Sequence, residues 1–185
     1  MGKLIISTQI TLDGVITVGE WFNRRGEHDW HGSAGQASIE LLRSADAFIL
    51  GRKNYEGLAA VWPTMTDDVG FADRVNSLPK FVASRTLRGP LTWNATLLEG
   101  DLATGVAALK QRTTGNLVSY GCGEFAQQLV EHGLVDELWF WVNPISWGEG
   151  ERPFHGKGVF PFELARTATF DTGIVLLAYR PQSTT

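Results

Sequence analysis

The 185-residue sequence contains one cysteine, Cys122, which excludes an internal disulfide and any cluster of cysteine metal ligands. No apolar run approaches the ~18 residues that mark a membrane-spanning helix. The opening residues, Met1-Gly2-Lys3-Leu4-Ile5-Ile6-Ser7, carry too short an apolar stretch for a secretory leader, so a reducing cytoplasm is the expected compartment and no membrane partner is expected. Excess charge is small, at −4, which argues against a nucleic-acid binder driven by bulk electrostatics. Internal repeats, linkers and low-complexity segments are absent, so residues 1–185 read as one domain. With 43% hydrophobic and 19% charged residues, the chain has the makings of an ordinary globular core.

What is present begins with a buried-strand pattern, Ala47-Phe48-Ile49-Leu50, that ends at Gly51 and delivers Arg52 and Lys53 to the start of a helical pattern over 52–61. Free backbone N–H groups and the helix dipole favour anions at such a place. The pair also suits a plain solvated strand end. Trp62-Pro63 stops the helix. A second exit of the same kind follows the strand Lys80–Ala83, at Ser84-Arg85-Thr86, where a planar guanidinium and two hydroxyls suit phosphate or an ordinary turn. A third follows Leu117–Tyr120, at Gly121-Cys122-Gly123-Glu124, where small residues let backbone approach a pyrophosphate or simply permit a sharp turn. The third glycine of the Rossmann fingerprint is missing there.

Around these exits the periodicity predicts a first strand over Lys3–Ile10, an Asp13-Gly14 turn, and helices over Ala37–Ala45, near Phe71–Val75, from Asp101 to Lys110, and after Gly123. Thr92–Leu98 and Leu134–Asn143 read as strands, and Phe162–Phe170 with Thr172–Tyr179 as a closing hairpin. Residues 17–35 form a long loop rich in glycine, aromatic and ionisable side chains, the composition of a flap over a planar ligand. His28, Asp29 and His31 lie in it, but their spacing matches no zinc pattern, and no metal is expected. Seven tryptophans, at 21, 30, 62, 93, 139, 141 and 147, are many for this length; some are expected to line a pocket or an interface.

Several segments, in this order and spacing, resemble the dihydrofolate reductase-like superfamily, in its branch related to the C-terminal reductase domain of riboflavin biosynthesis enzymes. They are Leu12-Asp13-Gly14, Leu50-Gly51-Arg52-Lys53-Asn54-Tyr55-Glu56, Ser84-Arg85-Thr86-Leu87 and Tyr120-Gly121-Cys122-Gly123. His132-Gly133-Leu134-Val135-Asp136-Glu137-Leu138 and Gly148-Glu149-Gly150-Glu151-Arg152-Pro153-Phe154 are the most specific. The resemblance implies an α/β, three-layer fold with a mostly parallel central sheet, an antiparallel C-terminal edge hairpin and helices on both faces. It implies NADPH along the strand ends, with Arg52, Lys53, Ser84, Arg85 and Thr86 at the 2′-phosphate, and Gly51, Gly121, Cys122, Gly123 and Glu124 completing the cofactor groove. The activity implied is hydride transfer to a small heterocyclic or carbonyl substrate, a dihydrofolate or pterin or a 5-amino-6-ribosylaminouracil-like compound. The alternative is a non-catalytic NADP(H)-, pterin- or flavin-binding protein.

The carboxylic acid that dihydrofolate reductases place at the start of the first helix is absent from Ser33-Ala34-Gly35-Gln36-Ala37-Ser38. Asp13 and Asp29 are therefore the candidate proton sources, Asp13 having a simple turn role as its competing reading. Trp21, Trp30 and Tyr55 are the candidate substrate contacts, and a homodimer through Trp139 or Trp141 is expected.

Overall fold

A computed structural model describes residues 2–17, 21–22, 30–154 and 158–182. Among the described residues eight strands form a single sheet in the order β4-β3-β2-β5-β1-β6-β8-β7. They are β1 Leu4–Thr11, β2 Ala45–Gly51, β3 Lys80–Ala83, β4 Ala95–Leu97, β5 Asn116–Tyr120, β6 Glu137–Asn143, β7 Phe162–Thr169 and β8 Val175–Pro181. The first six run parallel, and β8 and β7 close the sheet as an antiparallel pair. Among the described residues the α-helices α1 Ser33–Arg43, α2 Arg52–Val61, α3 Phe71–Ser77, α4 Leu102–Arg112 and α5 Glu124–Glu131 accompany them.

The central strands are apolar on both sides, as a sheet covered on both faces requires. Alternate residues divide between two cores. Ile5, Phe48, Val118, Trp139 and Trp141 pack with Ile39, Leu42, Tyr55 and Phe71 of α1 to α3. Leu4, Ile6, Ile49, Leu117 and Leu138 pack with Val106, Leu109, Ala126 and Leu129 of α4 and α5. This is the α/β three-layer arrangement expected from the sequence. Among the described residues no helix is long and apolar enough to cross a membrane.

Several boundaries differ from the sequence reading for local reasons. Helix α1 begins four residues earlier, at Ser33, with Gly32 as its N-cap; the Ser33 hydroxyl donates instead to Asp171 Oδ1 at 2.6 Å, tying the helix to the β7–β8 turn. β4 is shorter because Trp93 and Asn94 take left-handed φ values of 59° and 51°, which no strand accepts. β6 starts at Glu137 because Gly133, at φ 64°, ends α5 in a left-handed turn and the chain needs three further residues to rejoin the sheet. Asp101 caps α4 as expected, accepting from Thr104 N at 2.9 Å. Trp139 and Trp141 are 8% and 2% exposed, so neither offers a free surface for a partner; Arg166 lies 4.3 Å from the Trp139 ring and Phe170 stacks on Trp141 at 5.7 Å.

Candidate active site

All six parallel strands end on one edge of the sheet, and the sheet order places the three expected exits side by side on β3, β2 and β5. Side chains then join them. Arg52, the first residue of α2, donates through Nη1 to Thr86 Oγ1 at 2.7 Å and through Nε to Glu56 Oε1 at 2.8 Å. This guanidinium therefore connects the β2 exit to the β3 exit. Ser84 shapes the β3 exit by accepting from Thr86 N at 3.2 Å and Leu87 N at 3.0 Å, a hydroxyl-closed turn. Lys53 and Arg85 are exposed beside them, and among the described residues neither has an ion-pair partner.

Asn54 links the β2 exit to the β5 exit, its Nδ2 donating to the carbonyl of Tyr120. Nothing in its spacing set it apart from the flanking residues; its partner is 66 positions away. Two glycines permit the close approach. A Cβ on Gly51 would lie 2.8 Å from Phe125 of α5, and one on Gly121, whose φ is +84°, would lie 3.0 Å from Asn54 Nδ2. Gly123 is the N-cap of α5. Cys122 turns its side chain into the core beneath α5; burial pushes its thiol up to about 12, so it is neither a nucleophile nor a ligand at this edge. Glu124 is exposed in the first turn of α5, where its carboxylate complements the helix dipole and opposes rather than attracts a second anion.

The β1 exit is closed by Asp13. Its Oδ1 accepts from the Thr11 hydroxyl at 2.7 Å and from Trp147 N at 3.0 Å, and its Oδ2 accepts from Gly148 N at 2.7 Å. The Thr11 hydroxyl bond and the two backbone N–H groups hold the carboxyl far below the usual carboxylate range. Asp13 thus fastens the segment after β6 onto the turn after β1 and carries no proton at neutral pH. That segment continues across the edge: Ile16 N donates to Glu151 O at 2.8 Å, and Glu151 N donates to Thr17 Oγ1 at 2.8 Å.

Of the remaining expected site residues, Asp29 and His28 lie outside the described residues. His31 is exposed and pairs with Asp68 at 3.0 Å; among the described residues no group of three metal-ligating side chains forms. Tyr55 does not contact a substrate: it is 6% exposed, and its hydroxyl bonds the Thr92 backbone N–H at 3.1 Å because α2 turns that side of the helix into the core. Trp21 is 1% exposed and donates its indole N–H to Thr17 O, so it too belongs to the core. Trp30 stacks on Phe71 of α3 with ring centroids 4.0 Å apart. The structure thus gathers the expected phosphate residues and disperses the expected substrate contacts.

Comparison with known proteins adds a family. A family model described as the RibD C-terminal domain matches residues 2–176. No curated protein sequence matches the chain. Among solved structures, a provisionally named riboflavin biosynthesis protein from Shewanella sp. PV-4 superposes with a TM-score of 0.75 at 18% identity, covering 99% of this chain and 100% of its own. A pyrimidine reductase-like protein from Corynebacterium diphtheriae superposes with a TM-score of 0.66 at 14% identity, over 98% of this chain and 92% of its own. A diaminohydroxyphosphoribosylaminopyrimidine deaminase/5-amino-6-(5-phosphoribosylamino)uracil reductase from Thermotoga maritima superposes with a TM-score of 0.62 at 17% identity. The chain is covered to 98% there but spans only 57% of that longer enzyme.

Proposed function

Because the chain belongs to the RibD C-terminal domain family over residues 2–176, we propose that it is an NADPH-dependent reductase of a small heterocyclic or carbonyl substrate, with 5-amino-6-(5-phosphoribosylamino)uracil as the first compound to test. The observation that carries this reading is the Arg52–Thr86 bond, which makes one cationic, hydroxyl-bearing site from the β2 and β3 exits. The donor set fits a 2′-phosphate: Arg52 and Arg85 offer planar forks, Lys53 a point charge, and Ser84 and Thr86 hydroxyls. The bare backbone at Gly121, next to Asn54, fits a pyrophosphate. The cofactor supplies the hydride; the protein's part is to bind it, orient it against the acceptor and exclude water.

The test is a tryptophan-fluorescence titration with NADPH and NADH. NADPH binds more tightly, and Arg85→Ala weakens NADPH by about 1.5–3 kcal/mol at low ionic strength while leaving NADH nearly unchanged. The exposure of Arg85 brings the loss toward the lower figure at physiological salt. Equal affinity for the two cofactors in the wild type refutes the phosphate assignment.

A second reading, a binder of NADP(H), pterin or flavin without turnover, has one observation in its favour: Asp13 is fixed as an anion and supplies no proton. NADPH oxidation in the presence of the uracil separates the two. A homodimer belongs to the proposal as well. Its face is β7 rather than the buried tryptophans, since β7 is an edge strand of eight residues, longer than the three-residue β4 at the other edge, and residues 163–167 are exposed. A monomer by light scattering rules it out.

A further inference from the structure

One polar side chain on this edge is locked in a single orientation with its donor end open. Gln9 lies in β1 on the same face as Ile5, in register with Trp141 of β6. Its Oε1 accepts from Asn143 Nδ2 at 2.9 Å. The same Nδ2 donates to two backbone carbonyls, Trp141 O at 2.8 Å and Ile10 O at 3.3 Å. Carbonyls only accept, so this end of Asn143 is its NH₂ group, and the end of Gln9 facing it is therefore oxygen. The Gln9 amide is held with its Nε2 directed away from Asn143. Gln9 is half-buried, and among the described residues Nε2 has no partner.

The position of Gln9 matters as much as its orientation. β1 pairs with β5 only as far as Ser7↔Tyr120, where Gly121 N donates to Ser7 O at 2.9 Å and the chain turns into the glycine exit. On its other side β1 stays paired with β6 through Thr11↔Asn143. From Thr8 onward, among the described residues, β1 therefore has no strand neighbour on the β5 side, and Gln9 sits in this stretch, next to the exit assigned to the pyrophosphate. Its neighbours on the same face are buried: Ser7 Oγ accepts from the Trp141 indole N–H at 3.0 Å, and Thr11 Oγ1 donates to Asp13 Oδ1 at 2.7 Å. What β1 offers a ligand on this face is the half-buried N–H donor of Gln9.

We propose that Gln9, oriented by Asn143, is a specificity-determining residue that donates a hydrogen bond to a carbonyl carried by a planar ring bound in this gap. The inference rests on the edge being the site of an NADPH-dependent reductase. Two rings in that reaction carry such a carbonyl: the nicotinamide, in its carboxamide, and a pyrimidine acceptor, in its ring. A ring presenting an exocyclic amine at that point meets a donor and is rejected.

The variant Gln9→Glu tests this. It keeps an oxygen for Asn143 and nearly the same shape, but replaces the open donor by an acceptor; Gln9→Leu provides a second removal of the donor. Each protein is titrated with NADPH, with adenosine 2′,5′-bisphosphate, and with 5-amino-6-(5-phosphoribosylamino)uracil in the presence of NADP⁺. Loss of one neutral donor weakens the affected ligand about fivefold to tenfold. NADPH weakened with the bisphosphate unchanged assigns the carbonyl to the nicotinamide. The uracil weakened with NADPH unchanged assigns it to the acceptor. Asn143→Asp turns the Gln9 amide around and moves the same constant with Gln9 intact, whereas a merely structural Asn143 changes only the melting temperature. If neither NADPH nor the uracil loses affinity in folded Gln9→Glu, the proposal is overturned. A wild-type protein that binds no NADPH overturns the reductase reading itself, and this inference with it.

Discussion

Lys80 is 0% exposed, an unusual state for a lysine, and its titration gives a stability prediction that the structure sets quantitatively. Its Nζ donates to Val75 O at 2.5 Å and Asn76 O at 2.9 Å, capping the C-terminal turn of α3, and lies 4.2 Å from the Trp93 ring. Burial lowers its pKa from 10.5 to about 8. The unfolded chain thus holds this proton more tightly than the folded one. Below about pH 8 the group is charged in both states and contributes no pH dependence. From there to about pH 10.5 the folded amine is neutral while the unfolded one is charged, so this contribution makes stability rise with pH, by about 3 kcal/mol across the window. The buried Cys122 thiol, raised to about 12, acts in the opposite direction once the unfolded thiol ionises near pH 9, so the wild-type profile alone does not isolate Lys80. Lys80→Met does. At pH 7 the variant sheds a buried charge and leaves two helix-end carbonyls unmatched, two effects of similar size and opposite sign. Urea denaturation of both proteins at steps between pH 7 and 10 reads the difference, which should swing toward the wild type by about 2–3 kcal/mol. A difference that stays flat over that range refutes the reasoning and means that the carbonyls and the aromatic face offset burial in full.

Three further outcomes follow from the geometry. Among the described residues Ser119 Oγ is buried without a hydrogen-bond partner, so Ser119→Ala stabilises the protein by about 1 kcal/mol, or about 2–4 °C in Tm; a lower Tm contradicts this. Gly51→Ala places a Cβ 2.8 Å from Phe125, costs about 1–3 kcal/mol in urea denaturation and weakens NADPH by displacing the start of α5; unchanged stability shows that Phe125 yields freely. Asp13→Asn replaces a bare acceptor by a group with one acceptor oxygen opposite two backbone N–H donors, so proteolytic cleavage within residues 144–150 quickens, and an unchanged rate refutes the fastening role.

The parts of the fold that were legible in the sequence are those decided locally. β3 is the apolar run Lys80–Ala83 and α2 ends at Trp62-Pro63 because both signals act on their immediate neighbours. β4 was overextended because left-handed Trp93 and Asn94 are stabilised by distant contacts: the Trp93 indole donates to Asn76 Oδ1 at 2.7 Å, and Asn94 Nδ2 donates to Ser77 O at 2.8 Å. The strand exits were legible for the same reason as β3, since glycine and hydroxyl residues announce turns. Their union was not: Arg52 meets Thr86 across 34 positions and Asn143 meets Gln9 across 134. Tyr55 misled because an aromatic beside a cationic exit looks like a ligand contact, whereas the helical period turns it inward while Arg52 and Glu56, one turn apart, stay outside.

That division bears on the chemistry. Reduction of a C=N or C=O group takes a proton as well as a hydride, and two carboxylates were candidates to give it. Asp13 accepts three hydrogen bonds in the folded protein, and protonating it sacrifices at least one of the backbone donors that hold the segment after β6. Its acidity is thereby spent on architecture. Cys122 is equally removed, by burial under α5. On the proposed reading, Asp29 is then the candidate carboxylate still to be tested as the proton source. A pH profile of NADPH oxidation that survives both Asp13→Asn and Asp29→Asn removes both carboxylates as the source of the proton.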